Sequence, residues 1–545
     1  MPHLHREGAP TVTVTIRRED RSAGIGPSPA PRRVIQRGFL ATAELLTDGG
    51  DARIQIEPSG WANKYGCPAT PDESLAAFGS STASVISEPA FTAADRLRRR
   101  LVDALGSEPE SEIYAREMYR VRREFRDLCG LSDMPGLEIV FAASGTDLHL
   151  LAAQLIGSAA GSTPLAVMVE AAETGSQIRA ALAGRHFSTR TALGNAVAAD
   201  TTMADSGAIE VAAVPLRETD GAPRAAAAVD AEIEALVAAA AAAGRRVLLT
   251  LVDVSKTGLI APSPQCANAL RQRFPGCVEV LVDACQFRLA AANLRAYLEH
   301  GFMVAVTGSK FLTGPAFSGA LLFPQGVAER LRSIRLPAAL SAYSARADWP
   351  ADWATADTLR SAANYGLLLR WEAALAEFRT FQALPETELR SFLENLAGAV
   401  RTRLANDPAF EPLPSPPLDR QLVNGPPAWD GVSTIHPFLL RRSGKLLRRE
   451  ETARVYDLLR VDAGDALHLA AGDPERGLAA LRCQLGQPVA CGQRDGAPIS
   501  ALRLCASARL AVEAITRNRR TAIIERALRA LDKAALLARS LSFEA

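Results

Sequence analysis

The stretch VTGSKFLTGPAFSGALLF, from Val306 to Phe323, places one lysine between a strand-like run and a Gly-Pro turn. Lys310 follows small residues and has apolar segments on both sides, whereas most lysines lie on solvated surfaces. The apolar segments predict buried β-strands, and ligands of α/β sheets bind beyond the carboxyl ends of such strands. The stretch therefore predicts a functional lysine at the edge of a buried sheet.

The surrounding residues, from about Gly136 to Phe323, alternate between strand-like and helix-like segments. The predicted strands are GLEIVFAAS, PLAVMVE, RRVLLTLVDV, CVEVLVDAC, FMVAVTGS and SGALLF. The predicted helices between them include TDLHLLAAQLIGSA, SQIRAALAGRHF and AAAAVDAEIEALVAAAAAAG, the last of which ends at Gly244. Continuous apolar strands separated by helices predict an α/β fold with a doubly wound, mostly parallel sheet.

The composition argues against several classes of partner. The 545 residues include 61 basic and 60 acidic side chains, a balance that gives no electrostatic basis for binding nucleic acid or an anionic membrane surface. No run of about 18 consecutive apolar residues predicts a membrane-spanning helix. The eight cysteines form no CxxC pair, which is typical of reduced thiols in the cytosol. We therefore expect a cytoplasmic protein.

Polar residues of particular kinds follow the predicted strands. Ser144, Gly145 and Thr146 open a helix directly after the first strand, and N–H groups with small hydroxyls at a helix N-terminus can bind phosphate. Asp283 ends one strand, and Lys310 follows the next strand 27 positions later. A buried carboxylate is costly unless it pairs with a cation, so we expect Asp283 and Lys310 to share one crevice.

These three features match what pyridoxal phosphate (PLP) requires. Its phosphate needs an anion cradle, its pyridine nitrogen needs a carboxylate, and its aldehyde needs an amine that forms a Schiff base. The residues from about Gly136 to Phe323 resemble the fold-type-I PLP enzymes, specifically the class V aminotransferase and cysteine desulfurase superfamily. VDACQ is similar to that group's Asp-Ala-x-Gln. TGSKFLTGPAFSGALL is similar to its Ser-x-His-Lys segment, which Gly-Pro and Gly-Ala-Leu follow.

The resemblance implies a role for each matching residue. Lys310 would form the Schiff base, Asp283 would pair with the pyridine nitrogen, and Gln286 would hydrogen-bond the phenolic oxygen of the ring. Ser255 occupies the position where the family often has an asparagine near that oxygen. The residues implied to bind the phosphate are Ser144, Gly145, Thr146 and Thr307.

Two positions depart from the family pattern. Ser309 precedes Lys310 where desulfurases usually have histidine. The residue that stacks on the ring, expected about 28 positions after the phosphate turn, is Glu173 or Thr174 rather than a histidine or an aromatic residue. Thr174 is taken as the cofactor-binding candidate. These departures affect the prediction of the reaction type more than the prediction that PLP binds.

Lys256, in the sequence SKTG, is a second candidate for the Schiff base. It precedes Asp283, whereas the resembling fold places the lysine after the aspartate, and this order favours Lys310. Two interpretations of Lys256 then stay open. Its side chain approaches the cofactor or substrate, or it is a solvated turn residue.

Three residues outside this core are further candidates. Arg503, in ALRLCASARL, resembles the arginine that binds the substrate α-carboxylate in this superfamily, the alternative being a surface arginine on a strand edge. Asn63, in NKYGCP, lies in a segment that would cover the substrate or cap a helix. Cys491 precedes Arg503 by 12 positions, near where some desulfurases carry a nucleophilic cysteine, although an inert buried cysteine is the commoner case.

The sequence thus predicts the type I PLP-dependent transferase fold, with a large α/β domain and a smaller C-terminal α+β domain. The predicted parts are a flexible tail (1–35), a segment that packs on the active site (36–130), the PLP-binding domain (131–380) and the small domain (385–545). VSTIHPFLL and ALRLCASA are predicted strands of the small domain, and the last 35 residues are predicted to form one amphipathic helix.

The expected activity is that of an aminotransferase acting at the α-carbon of an amino acid or small amine, in a homodimer. The alternative enzyme is a C–S lyase, a cysteine desulfurase or another elimination or replacement enzyme, because the same residues would stabilise the same carbanion. A PLP-fold protein that binds without catalysis is disfavoured by the presence of both Asp283 and Lys310.

Overall fold

The computed structural model describes residues 39–56, 60–158, 161–420, 422 and 428–541. The predicted tail, residues 1–35, lies outside the described residues. The α-helices are α1 (Thr42–Leu46), α2 (Glu88–Ala104), α3 (Glu110–Leu128), α4 (Gly145–Ser158), α5 (Ile178–Leu182), α6 (Ala226–Ala242), α7 (Pro264–Arg273), α8 (Ala291–Glu299), α9 (Gln325–Leu331), α10 (Tyr365–Gln382), α11 (Glu386–Asn406), α12 (Arg449–Leu459), α13 (Arg476–Ala479), α14 (Ala508–Thr516) and α15 (Arg520–Ser540). Short 3-10 helices cover Ala338–Ala342, Arg346–Asp348, Ala354–Thr358 and Trp429–Gly431.

The strands fall into two sheets. They are β1 (Ala76–Phe78), β2 (Glu138–Ala142), β3 (Leu165–Val169), β4 (Glu210–Val214), β5 (Val247–Val252), β6 (Val278–Ala284), β7 (Met303–Thr307), β8 (Gly319–Phe323), β9 (Phe410–Pro412), β10 (Ile435–Arg442), β11 (Lys445–Leu446), β12 (Cys483–Arg494) and β13 (Ala497–Cys505). The first sheet has seven strands in the order β2-β8-β7-β6-β5-β3-β4. The second has the order β1-β12-β13-β10-β11, with β9 paired to β10.

The seven-stranded sheet is parallel except for β8, which runs antiparallel to both of its neighbours. Every residue of β3, β5, β6 and β7 is buried, as expected for parallel strands that helices cover on both faces. The predicted doubly wound sheet is thus confirmed. Strand β4 was not predicted, because this edge strand is half exposed and its sequence EVAAV gives only a weak apolar signal.

The second sheet combines distant parts of the chain. Strand β1 pairs in parallel with β12, so that Ala76 lies opposite Cys483. Strands β10 and β13 agree with the prediction, whereas β12 was missed. Its sequence contains Gly486, Pro488 and Gly492, and irregularities of the pairing with β13 accommodate these strand-breaking residues.

The C-terminal segment forms two helices, and the prediction of one continuous helix was wrong. Helices α14 and α15 are separated at Asn518, whose φ of +50° is left-handed and ends the first helix. Within the described residues, no helix is both long and apolar enough to cross a membrane.

Contacts between the two sheets cover the carboxyl ends of the parallel strands. Arg288, which follows β6, donates hydrogen bonds to the hydroxyls of Thr434 and Ser80 and to the carbonyl of Ala506. The second sheet and the segment around Ser80 therefore lie over the strand ends, where the sequence predicted the site. The predicted domain boundaries stay predictions, since Leu40–Ala545 forms one compact unit.

Candidate active site

A cavity of about 240 Å³ lies at the carboxyl ends of β2, β3, β5, β6 and β7. Residues distant in sequence line it, including the segment 64–65 and strand β13. The predicted site residues among its lining are Ser144, Gly145, Thr146, Thr174, Ser255, Asp283, Gln286, Thr307, Lys310 and Arg503. The fold thus brings together every predicted site residue except Asn63.

The turn Ser144–Thr146 forms one end of the cavity. Helix α4 begins at Gly145, so its free N–H groups and positive dipole end lie at the wall. A Cβ atom at Gly145 would lie 2.8 Å from the Sγ atom of Cys285, so only glycine lets the helix approach β6 this closely. The Thr307 hydroxyl donates to the carbonyl of Cys285 at 2.7 Å, and the Ser309 hydroxyl donates to Thr307 at 3.2 Å.

Arg53 adds a positive charge to this turn, and no pattern in the sequence predicts its position there. Its guanidinium donates to the hydroxyls of Thr146 and Ser144, both at 3.3 Å, and pairs with Asp51. The chain brings Arg53 to the turn from a loop more than ninety positions upstream. Helix N-terminus, hydroxyls and guanidinium together form an anion site.

The neighbouring carboxyl of Asp147 accepts a hydrogen bond from the Ser144 hydroxyl. Burial and the charge of Asp51 raise the pKa of Asp147 to about 7. This carboxyl is therefore partly protonated at neutral pH and repels a bound anion less than an ordinary aspartate would.

Asp283 is buried at the tip of β6, and His149 is its cationic partner. The Nε2 atom of His149 lies 3.4 Å from Oδ2 of Asp283, while its Nδ1–H donates to the Gly145 carbonyl at 2.7 Å. Burial alone would raise the pKa of Asp283, but the charges of His149 and Lys310 outweigh it and hold that pKa well below its usual range. Asp283 is therefore a carboxylate.

His149 was not predicted, although the sequence holds a signal for it. It lies four positions after Gly145, so the helical period places it on the same face as the turn. Burial tends to lower the pKa of His149, but the negative charge of Asp283 raises it above its ordinary value.

Two lysines flank Asp283 from opposite sides of β6. Lys310 follows β7 and Lys256 follows β5, and both strands pair with β6 in parallel. Both lysines are half-buried and line the cavity. The ammonium of Lys256 donates to the Ala172 carbonyl at 3.2 Å. The interpretation of Lys256 as a solvated turn residue therefore does not hold.

Glu173 and Thr174 occupy the expected position of the ring-stacking residue. Glu173 is held by other partners, because it pairs with Arg217 at 2.7 Å and accepts the hydroxyls of Ser255 and Thr257. Burial would raise its pKa, but Arg217 and these hydroxyls leave it lowered. Thr174 lines the cavity and is the smaller candidate for this position. The hydroxyl hydrogen of Ser255 is directed at Glu173.

Arg503 is 1% exposed on β13, so it is not a surface arginine. It donates to the Thr82 hydroxyl at 3.0 Å and to the carbonyls of Gln487 and Lys256 at 2.5 and 3.3 Å. Among the described residues no carboxylate forms an ion pair with it, and its Nε–H has no partner. A buried cation that lines a cavity without a counter-ion suits the binding of a carboxylate.

The three remaining candidates, Gln286, Asn63 and Cys491, are either hydrogen-bonded to other protein groups or buried. Gln286 lines the cavity, but its amide donates to the Ser81 carbonyl at 3.0 Å. The Oδ1 atom of Asn63 accepts hydrogen bonds from the backbone N–H groups of Tyr65 and Cys67. Asn63 thereby shapes the turn that places Tyr65 in the cavity wall. Cys491 is buried on β12, and burial raises the pKa of its thiol to about 11.

Comparison with known proteins gives a fold and no family match. No family model and no curated protein matches the sequence. A NifS-like protein matches with a TM-score of 0.50 and 12% identity, over 84% of this chain and 99% of that chain. The cysteine desulfurase CsdA from Escherichia coli matches at 0.47 and 15%, over 86% and 96% of the two chains. The cystine C–S lyase C-DES matches at 0.49 and 15%, over 83% and 97%.

The likeness to the NifS-like protein, together with the strand order, identifies the fold as that of the fold-type-I PLP-dependent transferases. The predicted fold class is therefore confirmed. At identities this low the likeness establishes the fold alone and does not identify the activity.

Proposed function

We propose that the protein is a PLP-dependent enzyme that acts at the α-carbon of an amino acid or small amine, with transamination as its reaction. The observation that carries the proposal is that Asp283 and Lys310 lie at the carboxyl ends of neighbouring strands, in one cavity with an anion site. Asp283 suits a protonated ring nitrogen, because it is a buried carboxylate that pairs with His149 and accepts the backbone N–H of Cys285. The turn at Gly145, with Arg53, suits a phosphate.

Each of these residues has a distinct task in the proposed reaction. Bound PLP would supply an electron sink that stabilises negative charge at the substrate α-carbon. Lys310 would be the amine that holds the cofactor, and the same amine would serve as general base for the α-proton. Asp283 keeps the ring nitrogen protonated. Arg503 orients the substrate through its carboxylate.

A C–S lyase or cysteine desulfurase is the second candidate. The same cavity residues would serve that reaction. A desulfurase also needs a reactive thiolate, and the raised pKa and burial of Cys491 speak against this cysteine in that role. We expect incubation with amino acids to release keto acids, and sulfide release with pyruvate would instead favour the lyase.

The assignment of the lysine is tested by absorbance. Wild-type protein mixed with PLP should develop a visible band from cofactor attached to the lysine amine, and Lys310→Ala should lack it. Lys256→Ala is the matched control, because it removes the other cavity lysine and should retain the band. A band that persists in Lys310→Ala and disappears in Lys256→Ala would reverse the assignment.

A further inference from the structure

The cavity carries more positive charge than the cofactor and one carboxylate would use. The cationic side chains that line it are Arg53, Lys64, Lys256, Lys310 and Arg503. In the proposed function Arg53 serves the phosphate and Lys310 attaches the cofactor. Of the two acidic lining residues, Glu173 pairs with Arg217 and Asp283 with His149. Lys256 and Arg503 thus face the cavity without a carboxylate partner among the described residues.

The backbone holds these two cations next to each other. Arg503 donates to the carbonyl of Lys256 at 3.3 Å, and the backbone N–H of Lys256 donates to the Glu173 carbonyl at 2.8 Å. These two hydrogen bonds fix the backbone position of Lys256, and its ammonium donates to the Ala172 carbonyl. Lys64, an exposed residue, adds a third charge to the lining.

The proximity of these cations is unfavourable in the absence of an anion. Burial and the charges of Arg503 and Lys310 lower the pKa of Lys256 to about 7. An anion bound beside Lys256 would offset this repulsion and favour the charged ammonium. One carboxylate at Arg503 leaves Lys256 unpaired, and a second anionic group beside Lys256 would stabilise its charged form.

We propose that Arg503 and Lys256 bind two anionic groups of one substrate, so that the enzyme takes amino acids whose side chain ends in an anion. Arg503 binds the α-carboxylate, and Lys256 binds a carboxylate, sulfonate or phosphate at the end of the side chain. This proposal rests on the proposed function for the identity of the α-carboxylate site. Lys256 is then the residue that determines specificity for the side chain.

Calorimetric titration with unreactive ligands tests the proposal on the PLP-loaded protein. The ligands are glutarate, 3-sulfopropanoate and 3-phosphonopropanoate, each compared with the monoanion butyrate. The variants are Lys256→Gln and, as a matched control, Lys445→Gln, which changes an exposed lysine of β11.

The wild type should bind at least one dianion about tenfold to a hundredfold more tightly than butyrate, the effect of one charge-assisted contact. Lys256→Gln should lose this preference, and Lys445→Gln should keep it. The dianion that binds most tightly identifies the terminal group. Equal binding of butyrate and all three dianions by the wild type, or a preference that survives in Lys256→Gln, would overturn the proposal.

Absorbance of the same samples reports PLP uptake separately. Uptake of PLP without a preference for dianions overturns the substrate class and leaves the proposed function intact. A preference for dianions that depends on Lys256, in protein that takes up no PLP, supports the two-anion site and contradicts the proposed function.

Discussion

Single residues in the cavity determine whether Asp283 is ionised. Asp283 has to be ionised to pair with a protonated ring nitrogen, although burial favours its neutral form. The imidazole of His149 supplies the nearest positive charge and is itself fixed by the Gly145 carbonyl. His149 is therefore a positioning residue that acts through Asp283.

Replacement of His149 by asparagine should raise the pKa of Asp283, because the compensating charge is lost. We expect kcat/KM to fall by on the order of tenfold, which corresponds to about 1.4 kcal/mol of lost charge interaction. The acid limb of the pH–rate profile should also move to higher pH, which a merely structural role would not produce. His468→Asn is the control, since His468 has a φ of +55° that asparagine tolerates. An unchanged acid limb in His149→Asn would contradict the assigned role.

A second histidine makes stability depend on pH. His436 is buried on β10, and burial with the charges of Arg401 and Arg288 lowers its pKa to about 3. The pKa of His436 is lower in the folded protein than in the unfolded chain, so lowering the pH favours the unfolded chain, which binds the proton more readily. The neutral imidazole therefore makes its full contribution to the free energy of unfolding only above about pH 6.5. It is lost as the pH falls from there towards 3, by up to about 1.4 kcal/mol for each pH unit.

Urea unfolding at pH 7.5 and pH 5 checks this expectation. His436→Gln removes the titrating group, so its free energy of unfolding should fall less between these two pH values than that of the wild type. The same fall in both proteins would show that His436 is not responsible.

At the scale of elements, buried polar contacts between loops hold the cavity wall in place. Glu173, in the loop after β3, accepts hydrogen bonds from Ser255 and Thr257 in the loop after β5. Arg217, which follows β4, pairs with the same carboxylate, and both side chains of the pair are at most 4% exposed. One carboxylate therefore links the loops that follow three neighbouring strands.

Arg217→Met should destabilise the protein by about 3–5 kcal/mol, because it leaves the charge of Glu173 buried and unpaired. Thermal or urea unfolding measures the loss. Arg273→Met is the matched control, since Arg273 and Glu234 form an exposed pair for which about 0–1 kcal/mol is expected. Equal effects of the two substitutions would mean that the buried pair does not hold these loops.

For the whole molecule, we propose a homodimer with the active sites near the interface, as the resemblance to the superfamily implies. Trp61 is 48% exposed and lies three positions from Lys64, which lines the cavity. An exposed tryptophan beside the rim of a site is typical of a surface that a partner covers. The proposed partner is a second copy of this chain.

Sedimentation should give a particle of twice the chain mass of 57.9 kDa. Trp61→Ser should weaken the dimer, and Tyr119→Ser is the control, because Tyr119 is an exposed aromatic residue on helix α3. A monomer at micromolar concentration would contradict the proposal.

The sequence by itself determined the seven-stranded sheet almost completely, because each parallel strand is a short apolar run between helices. It also placed Lys310, Asp283 and the Ser144–Thr146 turn at strand ends, where parallel topology brings them together. These features depend on local order along the chain, and local order is what a sequence displays.

Only the tertiary structure decided which distant groups complete the site. Arg53 reaches the phosphate turn from an upstream loop, and β12 forms despite its proline and glycines because β1 and β13 pair with it. Asn63 proved to shape a turn, and Lys256 proved to be a half-buried neighbour of Arg503. Burial and pairing between remote segments set these roles, and no spacing along the chain encodes them.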